Sequence, residues 1–204
     1  MSISINDIQN LRNITGAGMM SAKRALEEAG GDVQKAVDLL RQKGVKVAAG
    51  KSDRTTSQGL IESYIHGEGT LGVLVEVACE TDFVARTDNF KNLAHDLAMQ
   101  IAASAPQYIQ AEDVPAEVVE REKAVYVAQL AEQGKSGEMA EKIIIGKLEK
   151  FYAEVCLLKQ PFFKDDKKTV GDVVTEMIAT LGENIKVKRF ARFGLSGGAS
   201  VCSK

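Results

Sequence analysis

Apolar positions in the first 44 residues recur with helical spacing. Ile5, Ile8, Leu11 and Ile14 fall every three residues, Leu11 and Ile14 continue one stripe, and Ser4 followed by Asp7 resembles a capping box. Thr15 and Gly16 stop that helix. A second helix is expected over residues 18–29, ended by Gly30 and Gly31. Asp32 caps a third, with Val33, Ala36, Val37 and Leu40 on one face until Gly44 closes it. Residues 1–44 are therefore expected to form a three-helix domain.

The periodicity then dissolves. Residues 45–57, "VKVAAGKSDRTTS", read as a basic linker with Lys46, Lys51 and Arg54. Two strand-like runs, "GLIESYIH" and "GVLVEVAC", flank "GEGT" and predict a β-hairpin. Gly67, Gly69 and Gly72 satisfy G-x-G-x-x-G, but Val73, Val75 and Val77 continue a strand where a dinucleotide site needs a helix. Helices are expected over residues 84–105, 116–133, 137–158 and 170–181, the first with Phe90, Leu93, Leu97 and Ile101 on one face. The run "NIKVKRFARFGL" closes the chain as a strand with Ile185, Val187, Ala191 and Phe193 in one phase and Arg189 interrupting it. The whole is α+β: the three-helix domain, then a core over residues 58–195 in which a small antiparallel sheet packs with helices. Residues 196–204 read as a flexible tail.

Composition narrows the function. Among 204 residues, 45% are hydrophobic and 26% charged, the balance of a folded chain rather than a disordered one. A formal net charge of −2 gives no global reason to bind nucleic acid or an anionic membrane. No run of apolar residues is long enough to span a bilayer, and the start "MSISINDIQN" lacks a signal-peptide pattern, so a cytoplasmic location is expected. Cys79, Cys156 and Cys202 are too scattered for a disulfide framework or a metal knuckle. With only His66 and His95, and no hydrolase, metalloprotease or P-loop motif, an enzyme is a poor reading.

Two stretches stand out. In "ETDFVART", Glu80 and Asp82 lack the convergent partners that acid–base catalysis or a metal would need. Thr81 or Asp82 can cap the helix that follows. A cap leaves Phe83 unexplained, since an aromatic on a first helical turn is poorly placed to join a core; a structural turn and an exposed recognition tip both remain open. In "TGAGMMSAKRAL", Met19 and Met20 are adjacent and cannot both face one core, which predicts one in the core and one available for contact.

The stretches "LRNITGAGMMSAKRALEEAGGDVQKAVDLLRQKG" and "CETDFVARTDNF", with "GENIKVKRFARF" near the end, give a chain that resembles the elongation factor Ts family over residues 5–195. These are the nucleotide exchange factors of the translational GTPase elongation factor Tu. The resemblance implies a guanine nucleotide exchange factor without covalent chemistry, cofactor or metal of its own. It would bind elongation factor Tu in the GDP-bound and nucleotide-free states, and a homodimer is possible through a dimerisation-type core. The N-terminal domain would be ubiquitin-associated-like and dock through Leu11, Met19 and Met20. Thr81, Asp82, Phe83 and Val84 would be the element that dislodges magnesium from the GTPase. Ser21, where the family usually has an acid, and Cys202 in the tail depart from the pattern. The rival reading is a peptide- or ubiquitin-like binding module with a dimerising core.

Overall fold

The computed structural model describes residues 3–195 and 199–203. The chain divides into two units, one of Met1–Leu60, Val77–Leu93 and Asp172–Lys186, the other of Ile61–Glu76, Ala94–Gly171 and Val187–Lys204.

The first unit opens with helix α1, Ile5–Thr15. Its capping box is complete: the Ser4 hydroxyl accepts the Asp7 N–H at 3.1 Å and the Asp7 carboxylate accepts the Ser4 N–H at 2.9 Å. Gly16 ends it in the left-handed region. Helices α2, Met19–Glu28, and α3, Val33–Ala49, complete the bundle. Ile8, Leu11, Ala22, Ala25, Leu26 and Ala36 form its core, while Ile5 and Ile14 at the two ends of the α1 stripe are exposed. A core this rich in alanine lets short helices approach closely.

The third helix does not stop at Gly44 as its sequence suggests. It continues to Ala49, so part of the presumed linker is helical. Gly44 is buried, facing Ala179 of helix α8, Val170–Leu181, whose Cβ would lie 3.4 Å from a Cβ at position 44. Here glycine lies within a packed helix; it is not a terminator. Arg41 of α3 pairs with Asp172 of α8 at 2.8 Å. The remainder of the linker is also engaged: the Lys51 ammonium donates to the Gly182 carbonyl.

Strands β1, Gln58–His66, and β2, Leu71–Cys79, form the expected hairpin. They are followed by the single-turn α4, Asp82–Ala85, and by α5, Asp88–Ser104, whose Phe90, Leu93, Leu97 and Ile101 are buried as their spacing requires. Helices α6, Ala116–Glu132, and α7, Glu138–Val155, make a largely exposed hairpin in which Lys147 bonds Gln129 at 2.7 Å and covers the Tyr126 ring.

The strands β3, Pro161–Phe162, and β4, Asp165–Thr169, have no hydrophobic alternation to announce them. A buried amide network places them. Gln100 donates to Gln160, Ser104 and the Pro161 carbonyl, and its own carbonyl oxygen accepts the Phe163 N–H at 2.9 Å. Buried amides satisfied in this way fix geometry where an apolar contact would slide.

Strand β5, Lys186–Gly194, lies between β2 and β6, Ala199–Ser203, in a sheet of order β1, β2, β5, β6. The expected phase holds over the first part of this run and fails at its end. Ile185 and Val187 are buried, but Phe190, on the alternate phase, is buried as well and Phe193 is exposed. Arg189 pairs with Glu76 at 2.6 Å, and Arg192 donates to the Ala102 carbonyl. Of the expected tail, Ala199–Ser203 is a strand that pairs antiparallel with β5, Cys202 opposite Phe190, and supplies the hydrogen bonds that an unpaired strand edge would lack, while residues 196–198 and 204 lie outside the described residues.

Gly59 sits at φ +148°, and a Cβ there would be 2.7 Å from the Ala78 Cα and nearer still to the Val77 carbonyl oxygen. Gly59→Ala is therefore expected to destabilise the protein by about 2 kcal/mol or more, from backbone strain with no flexible neighbour to yield. Urea unfolding measures it, and an unchanged midpoint would contradict this packing of β1 on β2.

Candidate functional site

The chain leaves β2 at Cys79 and turns through Glu80 and Thr81 into α4. Thr81 is the N-cap, its hydroxyl oxygen accepting the Val84 N–H at 3.4 Å. Thr87 ends the turn by donating to the Val84 carbonyl at 2.8 Å and begins α5 by accepting the Phe90 N–H at 3.3 Å. Within these bonded ends, Ala85 points inward, Val84 is half-buried and Phe83 stands out with 78% of its surface exposed.

The two acids do not act together. Asp82 pairs with Arg86 across the turn at 2.9 Å, an exposed contact of small energetic weight. Glu80 turns inward: its carboxylate accepts the Asn184 N–H at 2.7 Å and faces Arg54 at 3.4 Å. The Asn184 N–H, with help from Arg54, holds the Glu80 carboxyl below its ordinary value. Among the described residues no three potential ligands gather around a metal position.

In exchange, Glu183 reaches back. Its Oε2 accepts the N–H groups of Glu80 at 3.1 Å and Thr81 at 2.9 Å, and its Oε1 accepts the Thr81 hydroxyl at 2.6 Å. Asn184, buried, donates its side-chain amide to the carbonyls of Ser52 and Arg54. Burial pushes the Cys79 thiol up to about 11, so it stays neutral, donating to the Thr81 carbonyl at 3.1 Å. The turn is thus tied to two distant segments. None of Glu183, Asn184 and Arg54 could be assigned from spacing, since they lie 26 or more residues from Glu80 in sequence. The run "GEN" carried only a family likeness.

The N-terminal candidates divide differently from their sequence reading. Leu11 is fully buried in the bundle core and so presents no contact surface. Met19 and Met20 are both exposed, at 46% and 58%, because Ala22, Ala25 and Leu26 supply the core face of α2. The two histidines border Tyr64: its hydroxyl meets His66 at 2.9 Å, and His95, bonded to Glu62 at 3.0 Å, lies edge-on to its ring.

The site is thus an exposed aromatic on a turn whose backbone is fastened behind it, with no gathered catalytic or metal-binding group among the described residues. Known proteins give the family. Residues 5–194 match the family profile described as "Elongation factor TS". The chain is 56% identical over 191 residues to elongation factor Ts of Carboxydothermus hydrogenoformans, covering 94% of this chain and 88% of that one. It is 55% identical to elongation factor Ts of Coprothermobacter proteolyticus, covering 96% and 99% of the two chains. For elongation factor Ts of Thermotoga petrophila the identity is 52%, over 97% and 98%. The chain belongs to the elongation factor Ts family, a family of translation elongation factors. Among the described residues no helix is long and apolar enough to cross a membrane.

The Glu80 interaction has a pH signature. A carboxyl depressed by folding stabilises above its unfolded value, ordinarily 4.5, and that contribution is lost as the pH falls through the lower folded value. Thermal melts of wild type and Glu80→Gln should therefore differ at pH 6 and converge below pH 4.5. Parallel curves down to pH 3 would show that the carboxylate does not hold the turn.

Proposed function

We propose that this protein promotes GDP release from elongation factor Tu by inserting the Thr81–Val84 turn beside the magnesium and phosphate site of the GTPase. The observation that carries this reading is Phe83, exposed on a turn whose backbone is fastened from behind. An exposed Phe on a fastened turn is a good anchor: aromatic side chains entering a partner's pocket dominate interface energetics. Asp82, next to it, would bring a negative charge close to the magnesium ligands. Val84, half-buried, supports the turn.

A second contact would come from Met19 and Met20, whose flexible thioethers suit an adaptable docking surface on the nucleotide-binding domain. Leu11 would contribute from within the bundle core rather than by direct contact.

No bond need be made or broken. A nucleotide held at nanomolar affinity corresponds to about −12 kcal/mol, much of it phosphate held by magnesium and backbone N–H groups. Each ~1.4 kcal/mol of unfavourable coupling between factor and nucleotide weakens the nucleotide tenfold, and reciprocity weakens the factor equally. Incoming GTP then displaces the factor.

Stopped-flow release of fluorescent GDP from elongation factor Tu tests this directly. Wild type should accelerate release, and Asp82→Ala with Phe83→Ala should fold normally by circular dichroism yet lose about thirtyfold or more of the acceleration, the weight of a hot-spot anchor. A folded wild type that leaves GDP release unchanged overturns the proposal and moves the binding-module reading forward.

A further inference from the structure

We infer that Glu183 is a positioning residue for exchange: it sets the direction in which Phe83 points, acting through Thr81. The inference rests on the exchange reading above.

Helix α4 is four residues long, and a single helical turn is unfavourable by itself because it fixes several backbone dihedrals for one hydrogen bond. Its orientation must come from what holds its ends. At the C-terminal end, Thr87 joins it to α5. At the N-terminal end one side chain, that of Glu183, accepts both the Glu80 and the Thr81 N–H.

The Thr81 hydroxyl makes the arrangement directional. An O–H has one proton and two lone pairs. Donating that proton to Glu183 at 2.6 Å leaves a lone pair to accept the Val84 N–H. Without the carboxylate the hydroxyl is free to rotate, and the cap on the turn that carries Phe83 loosens with it. Glu183 itself stands between fixed points. Gly182, before it, is held through its carbonyl by Lys51, and Asn184, after it, is buried with both its backbone and side-chain amides bonded.

A double-mutant cycle in the GDP-release assay separates positioning from general stability. It compares wild type, Glu183→Ala, Phe83→Ala and the double variant over a range of factor concentrations. Glu183→Ala should lower the saturating rate by about tenfold or more, since a displacement near 1 Å can cost that much, while the half-saturating concentration shifts less. In the Phe83→Ala background the same change should alter the rate by less than about twofold, because residues acting as a unit are not additive. Glu183→Gln, which keeps one acceptor for the Thr81 hydroxyl, should be intermediate. Amide hydrogen exchange should show lost protection at Val84 without loss across α1 to α3.

Equal saturating rates for Glu183→Ala and wild type, or full additivity with Phe83→Ala, would overturn the inference and leave the exchange function standing. A wild type that does not accelerate release overturns the function and the inference with it. If Glu183→Ala is unfolded at the assay temperature, the cycle is run with Glu183→Gln and judged by the same additivity.

Discussion

Two carboxylates that trade backbone N–H groups hold the site in place. Glu80, at the end of β2, accepts from the backbone of residue 184, and Glu183, at the start of the turn into β5, accepts from the backbone of residues 80 and 81. The exchange joins segments about a hundred residues apart at a point where neither β2 nor β5 any longer offers a strand ladder. Each acid satisfies donors that would otherwise be orphaned at a strand end or helix start. Asn184 extends the tie to residues 52 and 54, in the segment that follows α3.

Much of the fold was legible because it rests on local rules. The α1 capping box, the glycine-bounded α2, the GEGT hairpin and the buried stripe of α5 all follow from spacing and cap chemistry. Where tertiary contacts overrode local signals the reading failed. Gly44 looks like a terminator and lies within a packed helix. The apolar residues of "VKRFARF" fit either strand phase, and the strand buries Val187 from one and Phe190 from the other while Arg189 pairs with Glu76. The tail is glycine-rich and weakly apolar, and β5's open edge gives part of it a partner. Strands β3 and β4 are set by Gln100 and Gln160, whose side chains have no periodic signature.

The candidate site divides along the same line. Thr81 as a cap and Phe83 as a misfit on a first turn were visible from residue chemistry, and the family likeness gave that misfit a role. The two methionines were half right, since α2 fills its core face with alanine and leucine and leaves both outside. Leu11 was assigned to the contact surface and belongs to the core. The brace behind the tip was not legible at all, because Glu183 and Asn184 carry no local pattern that distinguishes them from any acid and amide in a turn.

An exposed aromatic is common enough on protein surfaces to carry little meaning alone. What changes its meaning is the backbone behind it. A partner that accepts a side chain from a fluctuating loop must order the loop as well, which takes ~1–2 kcal/mol for each backbone residue fixed. Between the bonded ends of Thr81 and Thr87 that ordering is already complete, and Phe83 itself has only two side-chain dihedrals left to settle. More of the binding free energy is then left to act on the partner. For a factor whose work is to weaken another ligand's hold, that remainder is the useful quantity, because the coupling cannot exceed the factor's own differential affinity for the two states of its target. On the exchange reading proposed above, the hydrogen bonds that Glu183 accepts would bear on exchange by that route.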